Sequence, residues 1–589
     1  MQKLFDFYEQ TRSKYLAQSD KVKKRMIFLS YSRVVAFILI LLAIYFFRAQ
    51  VLWATLGSVL GLALFLFLVR FYEDTKGTYR HLHALININS TELKVLNHDF
   101  LALPAGEEYI NPQHSFSHDI DLFGQGSFYQ YLNRSQLKRS SDVLATLLTS
   151  NAVDAIAAKQ EAIDELALQP EWRQNFGAKA SLVHKDLQID EAISWLENYK
   201  SFVPKSMRYL PWLFLSGFVA LVFATYNWSW SLNPLILWIV AGLGITARNY
   251  RNLSALSQRA DKVKSIFKQH AQLLQLIEES TFEAPQLKFQ KQRLLVGSKK
   301  ASEAINAFSK HLNTMDYNNN IFYAIFGNGC FLGALLTAYR IEEWIQQYGE
   351  HVEEWFQVVA FMEAYCSLGN FAFNHPRYAY PELTGTPNFL QCTALGHPLI
   401  PTNKNVRNNF SIGSQDFFII TGSNMAGKST FLRSVGLCIV MANVGLPVCA
   451  ESCLYHPRKL ATSMRSIDSL QRGDSYFFSE LKRLKQVVQW LKQDEYFLLL
   501  DEILKGTNSH DKAIGSKRFL AKLIRMQATG LIATHDLSLC ETAKDHNNVY
   551  NYHLDATISN NELTFDYLLK KGVSETMNAS FLLEKMDLV

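Results

Sequence analysis

Residues 417–430 read FFIITGSNMAGKST, and a helical run, FLRSVGLCIVMANVG, follows over 431–445. The apolar start is a strand, the middle has the spacing G-x-x-x-x-G-K-[ST], and the end is a helix, which is the context that a phosphate-binding loop requires. Gly422 and Gly427 let the backbone wrap round phosphate oxygens. Their charge is met by N–H groups at the helix N-terminus and by the Lys428 ammonium, while the Ser429 hydroxyl is a ligand for Mg²⁺. Gly422, Asn424, Met425, Ala426, Gly427, Lys428, Ser429 and Thr430 are the candidate nucleotide contacts.

Three further segments fit partners to this loop. Residues 497–502, FLLLDE, form an apolar strand ending in two carboxylates. Asp501 is placed to complete the Mg²⁺ shell, and Glu502 to orient or deprotonate an attacking water. Adjacent acids at a strand end are usually just solvated, but about 70 residues after such a loop the functional reading gains weight. Residues 531–536, LIATHD, put His535 just past another apolar strand, within reach of a γ-phosphate. Residues 468–481, DSLQRGDSYFFSEL, put Gly473 and Ser475 at the start of an amphipathic helix. Read locally, Ser475 is an N-cap.

Together these segments resemble the ATPase domain of the MutS family of DNA mismatch-repair proteins. TGSNMAGKST, the Asp468-x-Leu-x-x-Gly-x-Ser-x-Phe477 segment, Leu-Leu-Asp501-Glu502-Ile-x-x-Gly506-Thr507-x-x-x-Asp511 and Ala533-Thr534-His535 follow in family order, preceded by Gly396-His397-Pro398. The likeness covers roughly 200 residues. It implies Mg-ATP as ligand, Glu502 and His535 as catalytic groups, Ser429 and Asp501 on the metal, and a dimer in which Ser475 faces nucleotide held by another subunit. It also implies DNA as partner. A weaker likeness, Gly126 to Arg134 and Lys159 to Leu166, is to the opening of the MutS core domain. Departures are Ser423 where the family usually has Pro, Ala426 where it often has Gly, and Lys512 where Gly is usual. The first two spare the phosphate contacts; the third leaves the local loop open. The Phe-x-Glu wedge of mismatch readers occurs as Phe7-Tyr8-Glu9, about 25 residues before an apolar span, with no room for a reading domain; the triplet is expected to be coincidental.

Upstream the texture is different. Val34 to Val69 comprises two apolar runs broken by Arg48-Ala49-Gln50, and a second pair runs from Tyr209 to Tyr226 and from Leu235 to Ala247 around a Trp-containing turn. Such runs approach the roughly 20 residues needed to cross a bilayer, so two transmembrane helical hairpins are expected. Lys21, Lys23, Lys24, Arg25 and Arg33 precede the first pair, Arg70, Lys76 and Arg80 follow it, and Lys200, Lys205, Arg208, Arg248, Arg251 and Arg259 flank the second. The positive-inside rule then puts the bulk of the chain, ATPase included, in the cytoplasm. Residues 321–339 are also apolar but contain Asn328, and a fifth crossing would invert the ATPase, so a buried helix is expected there.

The expected organisation is a basic tail (1–33), a first transmembrane hairpin (34–69), a MutS-core-like helical region (70–208), a second hairpin (209–247), a helical lever (248–385) and an α/β P-loop ATPase domain (386–589). At 48% hydrophobic and 19% charged the chain is globular in composition, and a net charge of +6 permits nucleic acid or anionic lipid without selecting either. The seven cysteines, odd in number and without a C-x-x-C pair, read as reduced core thiols, neither a disulfide framework nor a zinc site. Two function classes follow: a membrane-anchored, dimeric MutS-like ATPase acting on DNA, or a membrane-tethered nucleotide switch acting on protein or lipid. An ABC transporter fits less well, because separated hairpins make a poor translocation path and no Leu-Ser-Gly-Gly-Gln signature occurs.

Overall fold

The computed structural model describes residues 2–183, 189–316, 320–385, 388–423, 425–465, 476–559 and 562–574. Helices α1 (Gln2–Phe46) and α2 (Val51–Leu96) form one long antiparallel hairpin. Their apolar ends face outward: Leu60 is 68% exposed and Phe28 70%. Their polar ends pack against the body instead. The Tyr8 hydroxyl donates to Asn374 (2.7 Å), the Asn374 amide donates to Glu92 (2.8 Å), and Glu92 is ion-paired to Arg134 (2.5 Å). Phe7 packs edge-on against Phe373. Residues 7–9 therefore have an internal structural role, and the expected boundary at 33/34 falls inside a continuous helix.

The core region contributes α3 (Phe128–Leu132), α4 (Lys138–Thr149), α5 (Ile156–Ala167), α6 (Pro170–Ser181) and α7 (Ile189–Glu197). Ser127 caps α3 by accepting the Gln130 N–H, the expected use of a serine at that position. The second apolar hairpin is α8 (Leu210–Asn227) and α9 (Asn233–Arg248), with α10 (Tyr250–Glu279) continuing beyond it. Then come α11 (Pro285–Gln292), the small β1 (Leu295–Val296) and β2 (Lys299–Lys300) ribbon, α12 (Ala301–Asp316), α13 (Asn328–Phe331), α14 (Gly333–Tyr348) and α15 (Val352–Asn374). Helix α15 is buried around most of its circumference, as a helix apolar on all sides must be. It joins the helices of residues 70–208 to those of residues 248–385 in one continuous hydrophobic core that reaches the C-terminal α/β sheets.

Among the described residues, three helices, α1, α2 and α8, are long and apolar enough to cross a membrane, and the bent pair Tyr323–Phe331 and Gly333–Asn374 would be a fourth only if taken as one span; α9 is apolar but only 16 residues long. Residues 321–339 do not form the single buried helix expected. A π-turn (Tyr323–Gly327) leads into α13, the chain bends by 77° at Leu332, whose φ is +52°, and burial begins only at Gly327, covering Asn328, Gly329 and Cys330 of α13 and most of α14. The first half leaves Ile321, Phe322 and Phe326 exposed beside α9. A Cβ on Gly242 of α9 would come within 2.7 Å of the Gly329 carbonyl oxygen, so glycine is what permits this approach.

From Asn388 the chain becomes α/β, close to the expected boundary; Thr386 and Pro387 lie outside the described residues. A four-stranded sheet is ordered β3 (Glu382–Leu383), β7 (Ser452–Tyr455), β4 (Asn388–Leu395), β5 (Asn408–Gly413). The main sheet comprises β6 (Phe417–Gly422), β8 (Lys459–Ser463), β9 (Tyr496–Asp501), β10 (Thr529–Ala533), β11 (Val549–Ser559) and β12 (Glu562–Lys571). Its order is β12-β11-β6-β10-β9-β8, parallel except for the edge strand β12. Helices α16 (Lys428–Val444), α17 (Tyr476–Trp490), α18 (Ser509–Arg525) and α19 (Thr542–Asp545) complete the domain.

Candidate functional site

Strands β6, β10 and β9 are adjacent and parallel, so their carboxyl ends open side by side, the place where parallel α/β sheets hold ligands. The three motifs occupy those ends. Two backbone hydrogen bonds fix their mutual position: Thr534 N–H to the Ile420 carbonyl (3.0 Å) and Glu502 N–H to the Ala533 carbonyl (2.9 Å). The loop after β6 enters α16 through Gly427, whose φ of +94° is open to glycine at little cost. Ala426 is fully buried beneath the loop, Met425 is 75% exposed and left-handed at φ +67°, and Thr430 is exposed on the first turn of α16. Asn424 lies outside the described residues.

Side chains converge at this mouth. The Lys428 ammonium donates to the carbonyls of Gly422 (2.9 Å) and Ser423 (3.0 Å) and lies 3.1 Å from His535 Nε2. The Ser429 hydroxyl donates to Asp501 Oδ2 (2.5 Å). His535 Nε2 is also 2.9 Å from Glu502 Oε1. One ring nitrogen cannot accept from Lys428 and donate to Glu502 at once, so the tautomer decides which bond is made. Glu502 itself is held at φ +45°, a left-handed conformation that costs a non-glycine residue on the order of 1–3 kcal/mol.

The charges follow from this packing. The hydrogen bond from His535, opposed by burial and helped by nearby Lys505, draws the Glu502 carboxyl down to about 2. Burial pushes Asp501 up, and burial pushes Lys428 down. A hydroxyl and a carboxylate in contact are a hard-oxygen donor pair suited to Mg²⁺, and a buried ammonium at the N-terminus of α16 is suited to phosphate. These residues fit Mg-ATP.

Ser475 and Gly473 lie outside the described residues, but both ends of their segment are held by groups the motifs did not reveal. Upstream, the buried Asp119 carboxylate accepts from the Thr462 hydroxyl (2.6 Å), Met464 N–H (3.1 Å) and Arg465 N–H (3.0 Å). Downstream, Glu480 of α17 accepts the N–H of Leu504, in the turn after Glu502. Tyr567 of β12, at φ +57°, sets its ring against Gly427. No local motif marks these three; each depends on a partner distant in sequence. Around Lys512 the chain is regular: Asn508 caps α18 by accepting the Asp511 N–H (2.9 Å).

Residues 418–584 match the family model for MutS domain V. The chain is similar to human MutS protein homolog 4, with 32% identity over 34% of this chain and 22% of that protein. It is 25% identical to the DNA mismatch repair protein MutS of Desulfatibacillum aliphaticivorans, over 57% of this chain and 36% of that one. With the DNA mismatch repair protein MSH6 of Arabidopsis thaliana it shares 29% identity over 39% of this chain and 19% of that protein. The chain thus spans about a fifth to a third of the length of these relatives.

Proposed function

We propose, from the premise that the chain belongs to the MutS family through its C-terminal domain, that it is a membrane-anchored, Mg-dependent ATPase that works as a homodimer on DNA. The observation that carries the ATPase is the meeting of Lys428, Ser429, Asp501, Glu502 and His535 at three adjacent strand ends. The loop N–H groups and Lys428 bind the phosphates. Ser429 and Asp501 would hold Mg²⁺, which would supply charge neutralisation on the phosphoryl oxygens. Glu502, whose carboxyl is drawn down and ionised, orients or deprotonates the attacking water. His535, poised between Lys428 and Glu502, reports the γ-phosphate to both.

These groups approach nucleotide from one side. Phosphoryl transfer needs charge stabilisation around the whole γ-phosphate, and Ser475, ahead of α17 in sequence, is the candidate to close the other side. A second copy supplies it, by the two-fold pairing commonest among homo-oligomers. The membrane part of the reading rests on the length and apolar exposure of α1, α2 and α8, with α9 as the shorter return of the second hairpin, and on the basic flanks that favour a cytoplasmic ATPase. The DNA part rests on the relatives MutS and MSH6, which are DNA mismatch repair proteins.

The test is the ATPase rate of the detergent-solubilised full chain, alone and with matched or mismatched duplex. Hydrolysis that responds to duplex, and to both duplexes with affinities within about tenfold (~1.4 kcal/mol), is expected, since phosphate contacts carry no sequence information. Hydrolysis indifferent to DNA would replace the DNA reading with a nucleotide switch acting on protein or lipid. No hydrolysis with Mg-ATP would overturn the proposal.

A further inference from the structure

Three cysteines far apart in sequence meet inside the ATPase domain. Cys392 of β4 and Cys453 of β7 are direct antiparallel partners, with their sulfurs 3.5 Å apart. Cys438 of α16 brings its sulfur to 4.0 Å from that of Cys392, and all three sulfurs lie within 4.8 Å of one another. Each residue is 2% exposed. Three ligands at the roughly 2.3 Å typical of metal–thiolate bonds, arranged trigonally, stand about 4 Å apart. The trio is already near that spacing.

We propose that Cys392, Cys438 and Cys453 form a three-coordinate site for a soft d¹⁰ ion, Cu(I). Thiolate sulfur selects Cu(I), Zn²⁺ and iron–sulfur clusters, and a cluster needs four protein ligands where three sulfurs within 4.8 Å are present among the described residues, which narrows the choice to Cu(I) and Zn²⁺. Coordination number decides between them. Zn²⁺ takes four ligands, or three and a water. Among the described residues no histidine, carboxylate or fourth cysteine joins this cluster, and burial closes it to water. Net charge does not discriminate: Cu(I) on two thiolates and a thiol, or Zn²⁺ on three thiolates, leaves one negative charge either way. On binding, two S–H bonds are replaced by S–Cu bonds, each proton passes to solvent, and the third sulfur coordinates through its lone pair. The metal arrives as Cu(I), so no electron is transferred. The site ties the four-stranded sheet to α16, the helix that begins at Lys428.

The test uses the detergent-solubilised full chain under anaerobic conditions with Cu(I) offered as its bathocuproine disulfonate complex. One Cu(I) per chain should be withdrawn from the chelator, and X-ray absorption of that unmodified protein should show three sulfur neighbours at about 2.3 Å. Cys392→Ala, Cys438→Ala and Cys453→Ala should each weaken retention at least 100-fold, whereas Cys540→Ala, outside the cluster, should not. Failure to compete with the chelator, or a copper shell of nitrogen or oxygen, would overturn the proposal without reliance on any variant. So would tight Zn²⁺ that Cu(I) does not displace, or loss of two free thiols with no metal retained, which would indicate a Cys392–Cys453 disulfide.

Discussion

Glu502 has a left-handed backbone, a histidine on its carboxylate and the chemistry of the site beside it. Glu502→Gln should keep ATP affinity and lower the hydrolysis rate by about 10²–10⁴-fold, the usual worth of such a group, while Lys428→Ala should lose nucleotide binding; filter binding and phosphate release separate the two. The depressed carboxyl also fixes a pH dependence. A carboxylate at about 2 when folded, against about 4.3 when unfolded, contributes stability that is fully present above the unfolded value and is lost as pH falls toward the folded one. The difference in melting temperature between the wild type and Glu502→Gln should therefore be constant above about pH 5 and shrink between about pH 4 and pH 2. Lys428, Ser429, Asp501, Glu502 and His535 were legible in the sequence because each follows a short apolar strand, and parallel strands deliver their ends to one edge. Asp119 and Tyr567 were not, since their roles depend on contacts across more than 100 residues. The meeting of Cys392, Cys438 and Cys453 was equally hidden, because β-pairing and helix docking, not spacing, bring them together.

At the scale of elements, the segment between β8 and α17 is anchored at its near end by Asp119, a residue of the core region. That carboxylate satisfies two backbone N–H groups and a hydroxyl in a buried place, so its removal leaves donors unpaired at a cost of roughly 1–3 kcal/mol each. Asp119→Ala is expected to slow hydrolysis about tenfold, ~1.4 kcal/mol in barrier, with ATP affinity on Lys428 and Ser429 unchanged. An equal loss of affinity and rate would mean that Asp119 holds the whole domain and not this segment. Alternating strands and helices were evident from about residue 389 because their apolar runs are short and their turns polar. Residues 321–339 misled because apolar composition does not encode a bend: the left-handed Leu332 splits the run, and Gly242 opposite Gly329 lets its first half lie against α9.

For the whole molecule, the hairpin reading predicts that a cysteine placed at Ser229, in the turn between α8 and α9, is labelled by an impermeant reagent from outside the cell; protection there would remove the second hairpin from the membrane. Pairing of sites predicts that Lys428→Ala and Ser475→Ala proteins, each nearly inactive, recover activity when mixed. No recovery despite proven heterodimers would sink independent composite sites. The apolar runs were plain from sequence; the continuity of α1 and α2 well beyond them was not, because amphipathic and apolar stretches obey the same helical geometry. At about 1.5 Å per residue, the 46 residues of α2 reach roughly 70 Å, against a hydrocarbon layer of about 30 Å. If its apolar half lies in lipid, the rest of α2 is a stiff post outside it, locked to α1 and α15 through Tyr8, Asn374, Glu92 and Arg134. A subunit so mounted would meet its mate by lateral diffusion within a thin sheet of solvent. Two-dimensional crowding, not bulk concentration, then governs how often the composite sites close, and in proteoliposomes the turnover per chain should climb as the lipid-to-protein ratio falls at fixed total protein.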